Sequence, residues 1–156
     1  MTADPPRTRE QRKADALSKL SADNADVWVA SAGVGDSGVA EPYLVPVSLA
    51  WVDGCAVIAI PTTSRTFRNL GDTGRARLGV GPTRDVVMLD VVVDDVVPVD
   101  ATSVLAARYV EQADWDPRSA DGDYSLVVLR PERIQAWREA DEMPGRLLMR
   151  DGEWVV

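Results

Sequence analysis

Short apolar runs alternate with turn residues along the chain, and their spacing predicts most of its elements. Thr8 to Leu20 carries Ala16, Leu17 and Leu20 as a narrow apolar stripe behind a Thr8 cap, which predicts a helix. Its basic residues, Arg12 among them, read as a solvated face, and Met1 to Pro6 as a loose tail. Asp26 to Ala32 (DVWVASA) predicts a strand, and Gly33 to Ala40, with three glycines, a turn. Tyr43 to Val52 and Cys55 to Ile60 flank Asp53-Gly54, a strong short-range signal for a hairpin. Arg75 to Val80 and Asp85 to Val93 form a second strand pair joined by residues 81–84. Asp94-Asp95 marks a bend, and Val96 to Val99 a short further strand. Thr102 to Ala113 predicts a helix capped by Thr102 or Ser103. Beyond a loop over Asp114 to Asp123, Tyr124 to Leu129 reads as a strand and Pro131 to Trp137 as at most a short helix. Leu147 to Met149 and Trp154 to Val156 suit a terminal hairpin around Asp151-Gly152.

Hairpin-length connections between six or seven strands, with few helices, point to antiparallel β architecture, a barrel or sandwich with peripheral helices. The division is a tail and helix over 1–25 and a single domain over 26–156.

Composition narrows the chemistry. A chain of 156 residues with 46% hydrophobic and 27% charged content is one ordinary globular domain. No apolar run is long enough to cross a bilayer and no secretory signal is visible, so the expected location is the cytoplasm, with no membrane partner. A net charge of −8 argues against a nucleic-acid partner. The single Cys55 excludes an internal disulfide and cysteine-rich zinc sites, and no metal is expected. The chain has no histidine. That removes Ser-His-Asp and Cys-His catalysis and histidine-ligated zinc or haem, leaving chemistry to a bound cofactor.

Positive charge is concentrated in one place. Arg65, Arg68, Arg75, Arg77 and Arg84 lie between Thr62 and Arg84 against the one acid Asp72, whereas Asp85 to Asp100 holds five acids and no base. The run Pro61-Thr62-Thr63-Ser64-Arg65-Thr66-Phe67-Arg68-Asn69-Leu70 ends a strand and opens a short helix with Ser64 as N-cap. Helix amides, the hydroxyls of Thr62, Thr63, Ser64 and Thr66, and the Arg65 guanidinium together favour a phosphate dianion. Pro46 cannot donate to a ladder, so Pro46, Val47 and Ser48 suit an open or bulged strand edge where a flat polar ring, or nothing, lies alongside.

These residues resemble the pyridoxamine 5′-phosphate oxidase-like, FMN-binding split-barrel superfamily, from about Asp26 to the C-terminus. Thr62, Ser64 and Arg65 match its Thr-x-x-Ser-Arg-Lys-type phosphate segment, with Thr66 where lysine is usual and Arg68 or Arg84 left to compensate. Arg68-Asn69-Leu70 resembles the helix that follows in many members. Pro131-Glu132-Arg133-Ile134-Gln135-Ala136-Trp137 resembles a segment near the end of the oxidases, and Arg146-Leu147-Leu148-Met149-Arg150 their Arg-Leu-His-Asp-Arg. The resemblance implies an antiparallel split β-barrel of about six strands and an FMN-dependent oxidoreductase of undefined substrate. Its flavin would lie at a homodimer interface, with the phosphate on Ser64, Arg65 and the threonines and the ring along Pro46 to Ser48. Trp137 and Arg146 are the further candidate cofactor contacts. Leu148 replaces the histidine that engages substrate, so pyridoxamine-phosphate oxidase activity is not expected. The deazaflavin F420 on the same fold, or a non-catalytic flavin-binding protein, are the alternatives.

Overall fold

A computed structural model describes residues 4–156. Helix α1 (Arg9–Leu20) begins at the foreseen cap: the Gln11 amide donates to the Thr8 hydroxyl, and the Thr8 amide donates to the Gln11 side chain. That reciprocal pair satisfies two amides which a helix start leaves open. Strands β1 (Asp26–Val34) and β2 (Ala40–Ser48) form one hairpin, β3 (Ala50–Val52) and β4 (Cys55–Pro61) another. Asp53 (φ 51°) and Gly54 (φ 77°) supply the left-handed pair that its two-residue turn needs. Then follow α2 (Arg65–Thr73), β5 (Arg75–Val80), β6 (Val86–Pro98), α3 (Val104–Gln112), β7 (Tyr124–Trp137), β8 (Leu147–Arg150) and β9 (Glu153–Trp154).

All strand pairs are antiparallel, in the order β2-β1-β5-β6-β7-β4-β3, with β8 and β9 added beside β7. The two ends of that order, β2 and β3, are joined through Leu49, which is fully buried, so the sheet curls around a core. Strand alternation decides which side chains fill it. Val27 and Val29, Ile58 and Ile60, Leu78 and Val80, and Leu89 and Val91 point inward, joined by Ala16 and Leu20 from α1. The opposite face is divided. Over β3, β4 and the start of β7 it is covered by α3, whose Ala106 and Tyr109 pack on Val57, Ala59 and Leu126. Burial there pushes the Tyr109 hydroxyl up to about 12. Over β2, β1, β5, β6 and the end of β7, no helix among the described residues covers it.

Several sequence expectations need correction. Pro131 to Trp137 is strand, because Val86 to Val91, the first part of β6, offer those residues a ladder. The register shift that leaves Glu132 as an extra residue falls beside Pro131, which has no amide to give. For the same reason β6 continues through Asp94-Asp95, with a bulge rather than a break. The expected 43–52 strand is instead divided at Leu49. Nine strands result among the described residues, where six or seven were expected.

The basic face of α1 is not simply solvated. Arg12 is 5% exposed and donates to the carbonyls of Arg7, Glu142 and Pro144. Arg9 bonds the Leu147 carbonyl, and Lys13 bonds that of Val156 while lying 4.7 Å over the Trp154 ring. The carbonyls of Leu147 in β8, of Glu142 and Pro144 before it and of Val156 need donors, and this helix face supplies them. Met1, Thr2 and Ala3, half of the expected loose tail, lie outside the described residues.

Candidate functional site

The phosphate-type segment folds as its residues dictate. Ser64 is the N-cap of α2: the Phe67 amide donates to its hydroxyl at 3.1 Å and the Arg68 amide to its carbonyl at 3.2 Å. The Thr62 amide is tied to the Asp123 carbonyl, Thr66 is buried, and Thr63 is exposed. Hydroxyls therefore divide among capping, packing and solvent. Phe67 and Leu70 face the core. The other side of α2 presents Arg65, Arg68, Asn69 and Asp72 to a polar cavity of about 350 Å³, closed by Gly33, Val34, Gly35 and Glu41 at the end of the β1–β2 hairpin.

Asn69 holds this junction together. Its side-chain amide donates to the Ser31 hydroxyl at 3.1 Å, and its carbonyl oxygen would lie 2.4 Å from a Cβ at Gly33. A side chain at 33 would force the Asn69 carboxamide to shift. Arg65 lies 4.9 Å over the Tyr43 ring and 2.6 Å from Glu41, on an exposed pair. The Arg65 and Arg68 guanidiniums are the charged donors at this cavity, and they suit an anion that replaces Glu41 on Arg65.

A second cavity, of about 600 Å³ and mostly apolar, lies on the uncovered outer face. Trp28, Gly79 and Met88 stand in one row across β1, β5 and β6, with Leu44, Ala30 and Arg77 in the next. Trp137, opposite Val86, closes the far end. Gly79 forms part of its floor, and the position is open enough that a Cβ there would meet Met88 Sδ at an ordinary 3.5 Å. Trp28 and Leu44 are 51% and 59% exposed. A tryptophan left half in solvent on a strand marks a ligand or partner face.

Of the foreseen site residues, some reach the two cavities and others lie apart from both. Arg65, Arg68 and Asn69 line the polar cavity. Pro46 lies on the edge strand β2, opposite Trp28, and shares the outer face with Trp137. Val47 packs inward, and the Ser48 carbonyl faces the Tyr109 hydroxyl at 3.5 Å. Arg84 stands apart on the β5–β6 turn, paired with Glu139 at 2.6 Å. Arg146 donates to the Met143 carbonyl beside the end of β7. Leu148, in the position expected to have lost a substrate contact, is fully buried in the core. Trp28, Leu44, Gly79 and Met88 escaped the sequence reading. Their signal was the alternation itself, which places Trp28 and Leu44 out of phase with the inward valines.

The two cavities share no residue and lie on opposite faces of the β1–β2 ribbon. Ser31 and Gly33 meet α2 on the inner phase, while Trp28 and Ala30 floor the groove on the outer one.

Neither a protein-family model nor a curated protein matches the chain. Solved structures do. An F420 reductase aligns with a TM-score of 0.58 at 19% identity, over 75% of this chain and 94% of its own. An FAD-binding protein from Mesorhizobium loti gives 0.52 at 16%, over 78% and 90%. A heme storage protein from Vibrio cholerae gives 0.57 at 16%, over 83% and 94%. The fold is the split barrel. Within a split barrel of this topology, the uncovered outer face and the α2 junction are the two concave regions that the sequence-predicted residues reach. Among the described residues no helix is long and apolar enough to cross a membrane, and no cluster of acids and cysteine forms a metal site.

Proposed function

We propose that this split barrel binds a flavin-type cofactor between two copies of the chain and acts as an oxidoreductase. FMN is the favoured cofactor and F420 the alternative. The observation that carries the reading is the separation of the two cavities. A ligand with a flat ring and an anionic tail needs both an apolar wall and a donor cluster, and one chain presents them on opposite faces. A homodimer removes the conflict, since one copy can offer its outer face while its partner offers the α2 junction.

The fold neighbours bind F420, FAD or heme by name. Histidine ligation of heme is closed to a chain without histidine, whereas the donor set at Arg65 suits a phosphate, so the flavin class is preferred. The bound flavin supplies hydride or electron transfer. The chain's own residues bind and orient it: Arg65, Arg68 and Asn69 hold the anionic end, while Trp28, Met88 and Trp137 exclude water from the ring. The polar cavity also contains Glu41 and Asp72, so its net charge before binding is near zero. That favours the short tail of FMN over the polyanionic tail of F420.

The test is a titration of the purified protein with each cofactor, read by fluorescence quenching for FMN and by retention after gel filtration for F420. Saturable FMN binding at one per chain is expected. Retention of neither cofactor overturns the proposal.

A further inference from the structure

Three arginines meet around one buried carboxamide at the edge of the apolar groove. With its amide oxygen turned toward them, Gln135 accepts from Arg146 Nε at 3.2 Å and from Arg133 Nη2 at 3.2 Å. Arg77 Nη2 lies 3.4 Å from the other end of the same carboxamide, which in this orientation is a donor. Among the described residues, the one carboxylate paired with any of the three is Asp90, 3.4 Å from Arg77 Nε. Arg146 also spends one N–H on the Met143 carbonyl. Donors thus outnumber acceptors, and three cations face one anion in a chain of net charge −8. A carboxamide oxygen has two lone pairs, so it cannot satisfy all three guanidiniums. Arg77 also lines the groove, and Gln135 stands in register with Met88 in its wall.

We infer that this cluster is an anion subsite, and that the substrate of the proposed oxidoreductase is a small organic acid. Its carboxylate or other oxyanion lies on Arg77 and Arg133 at the edge of the groove, which leaves the wall of Trp28, Gly79 and Met88 to the flavin ring; in the protein free of flavin that wall is open to any flat apolar body. The inference deepens the proposed function and rests on it for what the bound acid is there to do. It is separate from the Arg65 cavity, with which the groove shares no residue. Guanidiniums are suited to this task because two N–H groups can meet two oxygens of one oxyanion.

Two dyes with the same aromatic body separate charge from hydrophobicity. 8-Anilinonaphthalene-1-sulfonate carries an oxyanion, and N-phenyl-1-naphthylamine does not. By fluorescence titration the parent is expected to bind the sulfonate at least about ten-fold more tightly, the scale of one charge-assisted contact. The double variant Arg77→Gln/Arg133→Gln should bring the two affinities together, with its thermal unfolding unchanged. Gly79→Leu, which fills the groove, should weaken both dyes. Arg130→Gln, at an exposed arginine paired with Asp94, should alter neither.

A sulfonate preference that survives in the double variant overturns the inference, as does undiminished binding of both dyes by Gly79→Leu. Sedimentation of the double variant provides a further check. If it dissociates a dimer that the parent forms, the cluster serves a partner's carboxylate, and the inference fails. FMN titration of the same samples keeps the two readings apart. FMN binding without a sulfonate preference sinks the subsite alone, whereas a sulfonate preference without FMN binding sinks the cofactor.

Discussion

Glu142→Ala is expected to lose about 3–5 kcal/mol of folding stability in urea denaturation, the range for removing one partner of a buried ion pair. Glu142 is 2% exposed and is held on every side. Arg7 grips it with Nε at 3.0 Å and Nη2 at 2.7 Å, and the Arg7 and Arg138 amides donate to it at 2.9 and 2.8 Å. Arg7 in turn reaches Asp15 at 2.8 Å and Asp85 at 3.2 Å, and Lys19 reaches Asp85 at 2.9 Å. The network ties the segment before α1 to the β5–β6 turn and to the chain just before β8. Removing the carboxylate leaves the Arg7 guanidinium buried with half its partners. Glu142→Gln, which keeps the shape, should lose less.

The same residue fixes a pH dependence. The hydrogen bond from Arg7, with the two backbone amides, outweighs burial and holds the Glu142 carboxyl at about 2, against an ordinary 4.5. A carboxyl depressed on folding contributes stability above its unfolded value, and that contribution is lost as pH falls through the folded one. The parent should therefore lose on the order of 3 kcal/mol between about pH 5 and 2 from this group. Glu142→Gln should lack that part of the slope. A Glu142→Ala variant within about 1 kcal/mol of the parent would show that the network is not structural.

Arg65→Ala should weaken FMN binding about ten- to a hundred-fold, the loss of one charge-assisted contact to phosphate. Its stability should change by at most about 1 kcal/mol, because the Arg65–Glu41 pair is exposed. Arg12 is unsuitable as a control, being buried and bonded to three carbonyls. Arg130→Gln serves instead. If Arg65→Ala binds FMN as the parent does while Arg84→Ala does not, the phosphate lies at the Gly81 to Arg84 turn.

Local chemistry was legible in the sequence where it was self-contained. Thr8, Ser64 and Ser103 cap the three helices as their positions suggest, and Asp53-Gly54 makes its hairpin. Pro46 lies on the edge strand, as a proline without an amide must. Long-range pairing was less legible. Nothing within Pro131 to Trp137 announces that the first half of β6 will pair with it, and helix-like spacing concealed a strand. The α1 arginines look like a solvent face until β8 and the segment before it bring their carbonyls to them. The candidate site was half visible. Arginine, serine and threonine concentrate at residues 62–68, but the groove is built by residues scattered over five strands.

Mixing two defective variants tests the shared site most directly. Arg65→Ala removes the anionic end of the proposed site and Trp137→Ala part of its apolar wall, so each alone should bind FMN weakly. After subunit exchange, a mixed dimer has one site with both residues intact, and random exchange restores roughly a quarter of the parent's tight sites. Recovery of that fraction, read by FMN fluorescence titration, is the result predicted for a site built by two chains. If both variants bind weakly and the exchanged mixture regains no tight site, each chain builds its site alone, and the two-chain account is wrong.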